Sequence, residues 1–184
     1  LLHRWAAHVK FRDPQTGAAS EALLGRDKAH WSFFLDTGAS VEYGARWRDN
    51  GNGTFSSEAV RRFYSPLDLY LMGLNSPEEV PPFFLIQPLA SEYIPEDLPL
   101  KGVTVSGVRK NVTIQDIIAN EGPRIPAKTS GQKEFRMAFI YLTGAGETAT
   151  PEKLADINNV RRSFMERFSI MTGGRGLAQV YPEG

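Results

Sequence analysis

Histidine is scarce in this chain of 184 residues, and its three histidines are the first candidates for chemistry. His3 follows Leu1-Leu2 and precedes Arg4-Trp5, which fits the end of a His-Glu-x-x-His helix whose first His and Glu would lie just before Leu1. Two imidazoles four positions apart on a helix share one face and can hold a zinc ion, while the Glu between them acts as a base. His3 is therefore a candidate metal ligand, although a single helical His is more often a structural residue.

A zinc site of this kind needs a third protein ligand and one position open to water. Asp68 is the first candidate, because it lies in a short apolar segment where a buried acid needs a partner. Tyr64 and Tyr70 flank it as candidate catalytic groups that could donate to an oxyanion. The alternative is that Asp68 caps a neighbouring backbone group or pairs with an arginine.

His30 is the second candidate for the third metal ligand. It lies in Ala29-His30-Trp31-Ser32, which we expect to open a strand beside the cleft. His30 could equally bind a transition state or form a hydrogen bond to the backbone. His8 is five residues from His3, which turns it away from a common metal, so we interpret it as structural. The chain has no cysteine, so any metal must be held by imidazole and carboxylate groups.

Three aromatic residues on or near the first predicted hairpin are candidates for substrate binding. Trp31, Tyr43 and Trp47 could form a platform for a sugar or a peptide. Burial in the core is the more common fate of such side chains. The sequence leaves both interpretations open.

The pattern of turns and helix caps predicts an α+β fold. Asn-Gly pairs favour a hairpin that joins 46–48 to 54–56, and Ser106-Gly107 favours a second hairpin within 103–112. Helices are expected from Leu1 to Val9, after Ser65, after Thr113 and after Thr150, with a strand over 83–87 and a buried strand over 135–142. The last helix is long and amphipathic, and its apolar stripe is expected to pack in the core: Leu154, Ile157, Val160, Phe164, Phe168 and Met171.

Composition narrows the function classes. Lys+Arg and Asp+Glu are both 21, so the net charge is zero and general nucleic-acid binding is disfavoured. No apolar run approaches the roughly 20 residues that cross a bilayer, so no membrane span is expected. The length suits a single domain, 1–184, with two lobes at 1–90 and 101–184 separated by the Pro- and acid-rich segment 91–100.

Several segments together resemble a group of largely uncharacterised bacterial exported proteins related to zincin metallopeptidases. The similar motifs include Leu2-His3-Arg4-Trp5, Ala29-His30-Trp31-Ser32 and Ser65-Pro66-Leu67-Asp68. The similar segments are distributed along nearly the whole chain, at residues 2–11, 24–27, 29–37, 64–74, 111–118, 121–124 and 172–176.

This resemblance implies the C-terminal part of a zincin-like fold, secreted or on the exterior of the bacterial cell envelope. His3 would be the second zinc ligand, and the first His and the catalytic Glu would precede Leu1. Leu2 stands where the family has a small Gly. The chain is thus expected to be truncated at its N-terminus, to bind zinc poorly and to leave peptides uncleaved until the upstream residues are restored.

Two other functions fit the sequence. One is a non-catalytic module that holds a glycan or a peptide on the aromatic hairpin. In that case Trp47 and Tyr43 would be needed for binding, and substitution of His3 or Asp68 would have no effect. The other is a domain that only scaffolds larger neighbours. The substrate and the oligomeric state are left open by all three hypotheses.

Overall fold

A computed structural model describes residues 2–60 and 63–181 of the chain. Contacts between residues divide it into two compact units, Leu1–Gly131 and Gln132–Gly184. The division falls after residue 131, and the segment 91–100 lies inside the first unit. The α+β class is confirmed, because antiparallel sheets occur together with three α-helices, one of them long and C-terminal.

The first unit contains two antiparallel sheets. A small sheet pairs β1 (Phe11–Arg12) with β2 (Ala19–Ser20). A four-stranded sheet contains β3 (Arg46–Asp49), β4 (Thr54–Ala59), β5 (Phe83–Ala90) and β6 (Thr104–Val112), in the order β3-β4-β6-β5. The predicted hairpin between 46–48 and 54–56 is confirmed, since β3 and β4 pair across the Asn-Gly turn. The predicted strand over 83–87 is confirmed as β5.

The second predicted hairpin, within 103–112, is wrong. Residues 104–112 form one continuous strand, β6, which pairs with both β4 and β5. Gly107 is explained by close packing and not by a turn, because a Cβ there would lie 2.6 Å from Ile86 Cγ2 and 2.7 Å from the Gln87 carbonyl oxygen. A glycine inside a strand commonly marks such a close approach.

Two short helices of the first unit begin where their caps predict. Helix α1 (Pro66–Leu71) has Ser65 as N-cap, and the Asp68 side chain accepts the Ser65 N–H to complete a capping box. Helix α2 (Ile114–Glu121) begins after Thr113, with Asp116 in the same role. Both motifs satisfy backbone N–H groups that the first turn of a helix leaves unpaired.

The predicted helix from Leu1 to Val9 is wrong over the described residues, and Leu1 itself lies outside them. A single 3₁₀ turn spans Leu2–Arg4. Ala7 has a φ of 60°, a left-handed conformation that an α-helix does not accommodate. The chain then leads into β1, and Val9 on the way is buried.

The second unit pairs β7 (Glu134–Ala138) in parallel with β8 (Leu177–Tyr181), and α3 (Pro151–Met171) connects them. The predicted strand over 135–142 is therefore shorter than expected, and Ile140 and Leu142 are exposed. The apolar stripe of α3 is only partly in the core. Phe168 is buried, Ile157, Phe164 and Met171 are half-buried, and Leu154 and Val160 are exposed. Among the described residues, no helix is both long and apolar enough to cross a membrane.

Candidate metal centre

Two of the predicted ligands, His3 and His30, meet in the first unit together with a carboxylate, Glu42. One ligand atom from each residue lies within 4.8 Å of the other two. The Nδ1 atom of His3 is 3.3 Å from Glu42 Oε2, and the Nε2 atom of His30 is 3.9 Å from the same oxygen. The three residues come from separate segments, so the fold and not local sequence brings them together.

His30 is held by backbone hydrogen bonds on both sides. Its carbonyl accepts the Gly25 N–H at 2.8 Å, and the next residue, Trp31, donates its N–H to the Glu42 carbonyl at 2.8 Å. This second bond places the His30 and Glu42 segments side by side. The ring of Tyr43 stacks on the His30 imidazole with 4.3 Å between centroids, which limits rotation of the imidazole.

The Arg26 carbonyl decides which nitrogen of His30 is free. The Nδ1 atom of His30 lies 3.2 Å from that carbonyl oxygen. A carbonyl can only accept, so Nδ1 carries the proton and donates. The lone pair then lies on Nε2, the atom that faces Glu42. A His that ligates a metal usually donates its other ring N–H in this way.

Glu42 is oriented by a short turn. Its backbone N–H donates to Ser40 Oγ at 3.0 Å, and Ser40 forms an isolated β-bridge with Tyr43. The Glu42 side chain is only 10% exposed, whereas that of His3 is 51% exposed. The site is therefore built from a buried carboxylate, a mostly buried imidazole and an accessible imidazole at the surface.

The donor set fits a divalent metal ion such as zinc. Two imidazole nitrogens and one carboxylate oxygen form one of the ligand sets of catalytic zinc, with a fourth position for water. Bonds near 2.0–2.2 Å place tetrahedral ligands about 3.3–3.6 Å apart. The His3 to Glu42 distance of 3.3 Å falls in that range. The 3.9 Å from His30 to Glu42 lies above it, and the three ligand atoms together converge to within 4.8 Å of one another, so the side chains would draw closer around a bound ion.

Asp68, the first candidate for the third ligand, is not a member of this group. It is fully buried, and its oxygens accept hydrogen bonds from Trp31 Nε1 at 2.8 Å and Ser40 Oγ at 2.6 Å. A third bond, from the Ser65 N–H, caps α1 at 2.7 Å. Burial raises the pKa of the Asp68 carboxyl, and the hydrogen bonds from Ser40 and Trp31 oppose that rise. The structure thus gives Asp68 the capping role that the sequence left as the alternative.

The two candidate catalytic tyrosines have different surroundings. Burial, and to a smaller extent the charges of Glu42 and Asp68, raise the pKa of Tyr64 to about 12. Tyr64 therefore keeps its phenolic proton at neutral pH. Tyr70 is buried, and its hydroxyl accepts the Arg124 N–H at 3.0 Å. Tyr70 thus anchors the segment after α2.

The predicted aromatic platform is not formed by the tryptophans. Trp31 is fully buried, and Trp47 is 4% exposed and donates its Nε1–H to the Phe33 carbonyl at 3.0 Å. Both are core residues and present no ring face to a sugar or a peptide. Tyr43 is half-buried and stacks on His30. His8 is exposed and does not belong to the metal group, as expected.

Glu42 is the site residue that the sequence analysis missed. Val41-Glu42-Tyr43 follows His30 by only twelve residues, but nothing in its local pattern marks a ligand. No signal in the sequence could have found it, because the feature that distinguishes it is conformational: the next residue, Tyr43, has a φ of 70°. Such a conformation is uncommon for a bulky residue and often accompanies a functional site.

Comparison of the chain with family models, with curated proteins and with solved structures finds no match. The description of the site therefore rests on the geometry of His3, His30 and Glu42.

Proposed function

We propose that the first unit carries the metal site of a zinc-dependent, metallopeptidase-like protein, with His3, His30 and Glu42 as ligands. The observation that supports this is the convergence of two imidazoles and one buried carboxylate from three separate segments. The zincin-like fold, a peptide or protein substrate and a place outside the bacterial cell rest on the sequence resemblance and belong to the same proposal.

A zinc ion held by His3, His30 and Glu42 would supply Lewis-acid chemistry for a substrate carbonyl and for a water molecule. The residues of this chain have three tasks in the proposal. His30 presents Nε2 because its Nδ1–H is held by the Arg26 carbonyl. Glu42 supplies the negative charge that neutralises part of the charge of the ion. Tyr64, half-buried and near enough to Glu42 for the charge of that carboxylate to act on it, is the candidate hydrogen-bond donor to the oxyanion of the substrate.

The general base of the proposed reaction is the Glu of the His-Glu-x-x-His motif that the resemblance implies, and the 184 residues do not include it. We therefore expect the chain of 184 residues to bind zinc through three protein donors and to cleave no peptide.

The test is a titration of the 184-residue chain with Zn²⁺ and with Co²⁺, whose visible spectrum reports ligand geometry. We expect about one equivalent to bind at saturating metal, with the weak affinity of a site that has three protein donors. His30→Ala and Glu42→Gln should each weaken binding at least 100-fold, because loss of an outer-shell partner alone costs about 10- to 100-fold.

His8→Ala is the matched control, since His8 is an exposed histidine five residues from His3 and outside the group. The metal affinity of the His8→Ala variant should stay within about twofold of that of the parent chain. The proposal fails if the parent chain binds less than a tenth of an equivalent, or if the His30 and Glu42 variants bind as well as the His8 variant.

The alternative, a module that holds a glycan or a peptide on an aromatic hairpin, has less support. Two of its three aromatic residues, Trp31 and Trp47, are buried. No contact among the described residues favours that function over the metal site.

A further inference from the structure

We propose that Asp68 is a positioning residue that holds the His30 and Glu42 segments at the separation a metal ion needs. The proposal rests on the proposed function, because it concerns the same site. It assigns to Asp68 a second task beyond capping α1. The observation behind it is that each oxygen of one buried carboxylate is linked to a different ligand segment.

The first link runs to the His30 segment. Asp68 Oδ1 accepts the indole N–H of Trp31 at 2.8 Å. Trp31 follows His30 directly and donates its backbone N–H to the Glu42 carbonyl. The Trp31 ring is fully buried, so its hydrogen bond to Asp68 fixes the backbone that carries the His30 imidazole.

The second link runs to the Glu42 segment. Asp68 Oδ2 accepts the Ser40 hydroxyl at 2.6 Å, and the same Ser40 oxygen accepts the Glu42 N–H at 3.0 Å. The hydroxyl thus joins Asp68 to the backbone of the carboxylate ligand. Hydrogen bonds to a charged group are about twice as strong as neutral ones, which makes this a stiff connection.

Capping alone does not explain these contacts. In α2, Asp116 performs the same capping task for Thr113 with one carboxylate oxygen, and it does so while half-buried. Asp68 also caps through a single oxygen, Oδ2. Its complete burial carries a large desolvation cost, and the bonds to Trp31 and Ser40 are the ones that go beyond the cap. These two bonds are the ones directed at the metal-ligand segments.

Substitutions of Asp68 and of the residues that contact it separate capping of α1 from positioning of the metal-ligand segments. Ser40→Ala removes the link to Glu42, and Asp68→Asn weakens both links. Ser65→Ala is the matched control, because it removes the bond from the Asp68 N–H to Ser65 Oγ, at 3.1 Å, and leaves Trp31 and Ser40 in place. Circular dichroism establishes that each variant is folded before it is titrated with Co²⁺.

We expect Ser40→Ala and Asp68→Asn to weaken Co²⁺ affinity about 10- to 100-fold and to change the visible spectrum, as outer-shell partners do. Ser65→Ala should stay within about twofold of the parent and lower the melting temperature as a lost cap does. Equal affinities in the Ser40 and Ser65 variants, in a parent that binds Co²⁺, would overturn the positioning role and leave the metal site standing.

A metal-free readout keeps the two proposals separate. The ¹H and ¹³C shifts of the His30 ring, measured by NMR without metal, should move in Ser40→Ala and Asp68→Asn and stay in place in Ser65→Ala. If the parent binds no metal while the ring signals still follow this pattern, the proposed function fails and the positioning of the two side chains stands. Unchanged ring signals in all three variants would overturn the positioning role.

Discussion

At the scale of single residues, the accessible nitrogen of His30 depends on one backbone oxygen. The Arg26 carbonyl lies 3.2 Å from Nδ1, and the segment around it is closed by a bond between the Gly25 N–H and the His30 carbonyl. The histidine is therefore oriented before any ligand arrives. Pre-orientation of this kind lowers the free-energy cost of binding, because less side-chain freedom is lost.

The tautomer of His30 is a direct prediction of this geometry. At a pH where the ring is neutral, Nδ1 should carry the proton and Nε2 should be bare. A long-range ¹H–¹⁵N correlation spectrum distinguishes the two nitrogens, and with three histidines in the chain the spectrum is simple. His30→Gln assigns the signals by their loss. A spectrum in which His30 carries its proton on Nε2 would contradict the hydrogen bond to Arg26.

Sequence reasoning identified part of the site at this scale. His3 and His30 could be predicted because histidine is rare and chemically distinctive. Asp68 was predicted as a metal ligand, with capping as the alternative. It caps α1 at Ser65 and accepts from Trp31 and Ser40, which lie 37 and 28 residues away. Glu42 could not be predicted, since its place beside His30 depends on the hydrogen bond from the Trp31 N–H to the Glu42 carbonyl, which only the folded chain forms.

At the scale of elements, local motifs were predicted well and long-range pairings were not. The caps at Ser65 and Thr113 are contained within four residues, so their sequence carries the whole signal. The strand β6 depends on its neighbours: Ser106-Gly107 has the composition of a turn, yet the approach of β5 explains the glycine. The same residue types serve a turn and a tight strand contact, and only the partner strand decides between them.

A short 3₁₀ turn, Pro77–Glu79, shows how an element can depend on pH. The ammonium of Lys128 lies 2.7 and 2.6 Å from the two Glu79 oxygens, and the Ser76 N–H donates to Glu79 at 2.7 Å. The pKa of Glu79 is lowered to about 2. The contact with Lys128 is the larger cause, and the hydrogen bond from the Ser76 N–H is the second.

Because the pKa of Glu79 is lower in the folded chain than its ordinary value of 4.5, its ionised form stabilises the folded state. That contribution is complete above about pH 4.5 and is lost as the pH falls towards 2. Glu79→Gln should therefore lower the urea midpoint slightly at pH 7, with the difference from the parent shrinking below pH 4.5. Added salt should also reduce this difference in urea midpoint, because the Glu79 and Lys128 side chains are both about one third exposed and their attraction is screened.

Lys128→Met provides the control for this pH dependence, because it removes the largest cause of the lowered pKa. In that background the effect of Glu79→Gln on the urea midpoint at pH 7 should be smaller than in the parent, because only the Ser76 N–H still lowers the pKa of Glu79. If Glu79→Gln changes the urea midpoint by the same amount at pH 7 and at pH 3, the Glu79 carboxylate does not stabilise the folded chain through its charge.

At the scale of the whole molecule, each of the two units has buried apolar residues of its own. The second unit is built around Phe168, which is 2% exposed and packs against Phe135 and Phe164 with ring centroids 5.4 and 6.0 Å apart. The candidate metal site lies entirely in the first unit, whose buried residues include Trp31 and Phe55. Each unit therefore has its own apolar core, and the site depends on only one of them.

The separate cores predict that the second unit can be destabilised without loss of the metal site. Phe168→Ala should cost about 3 kcal/mol, because it leaves a cavity where an aromatic ring was buried. Amide hydrogen exchange, followed by mass spectrometry, should speed up in β7 and α3 and stay unchanged in β5 and β6, with Co²⁺ affinity within about twofold of the parent.

Val160→Ala, on the exposed side of the same helix, is the control and should change neither the amide exchange rates nor the Co²⁺ affinity. If Phe168→Ala instead accelerates exchange in β5 and β6 to the same extent, the chain unfolds as one cooperative body and the separation into two units has no energetic meaning.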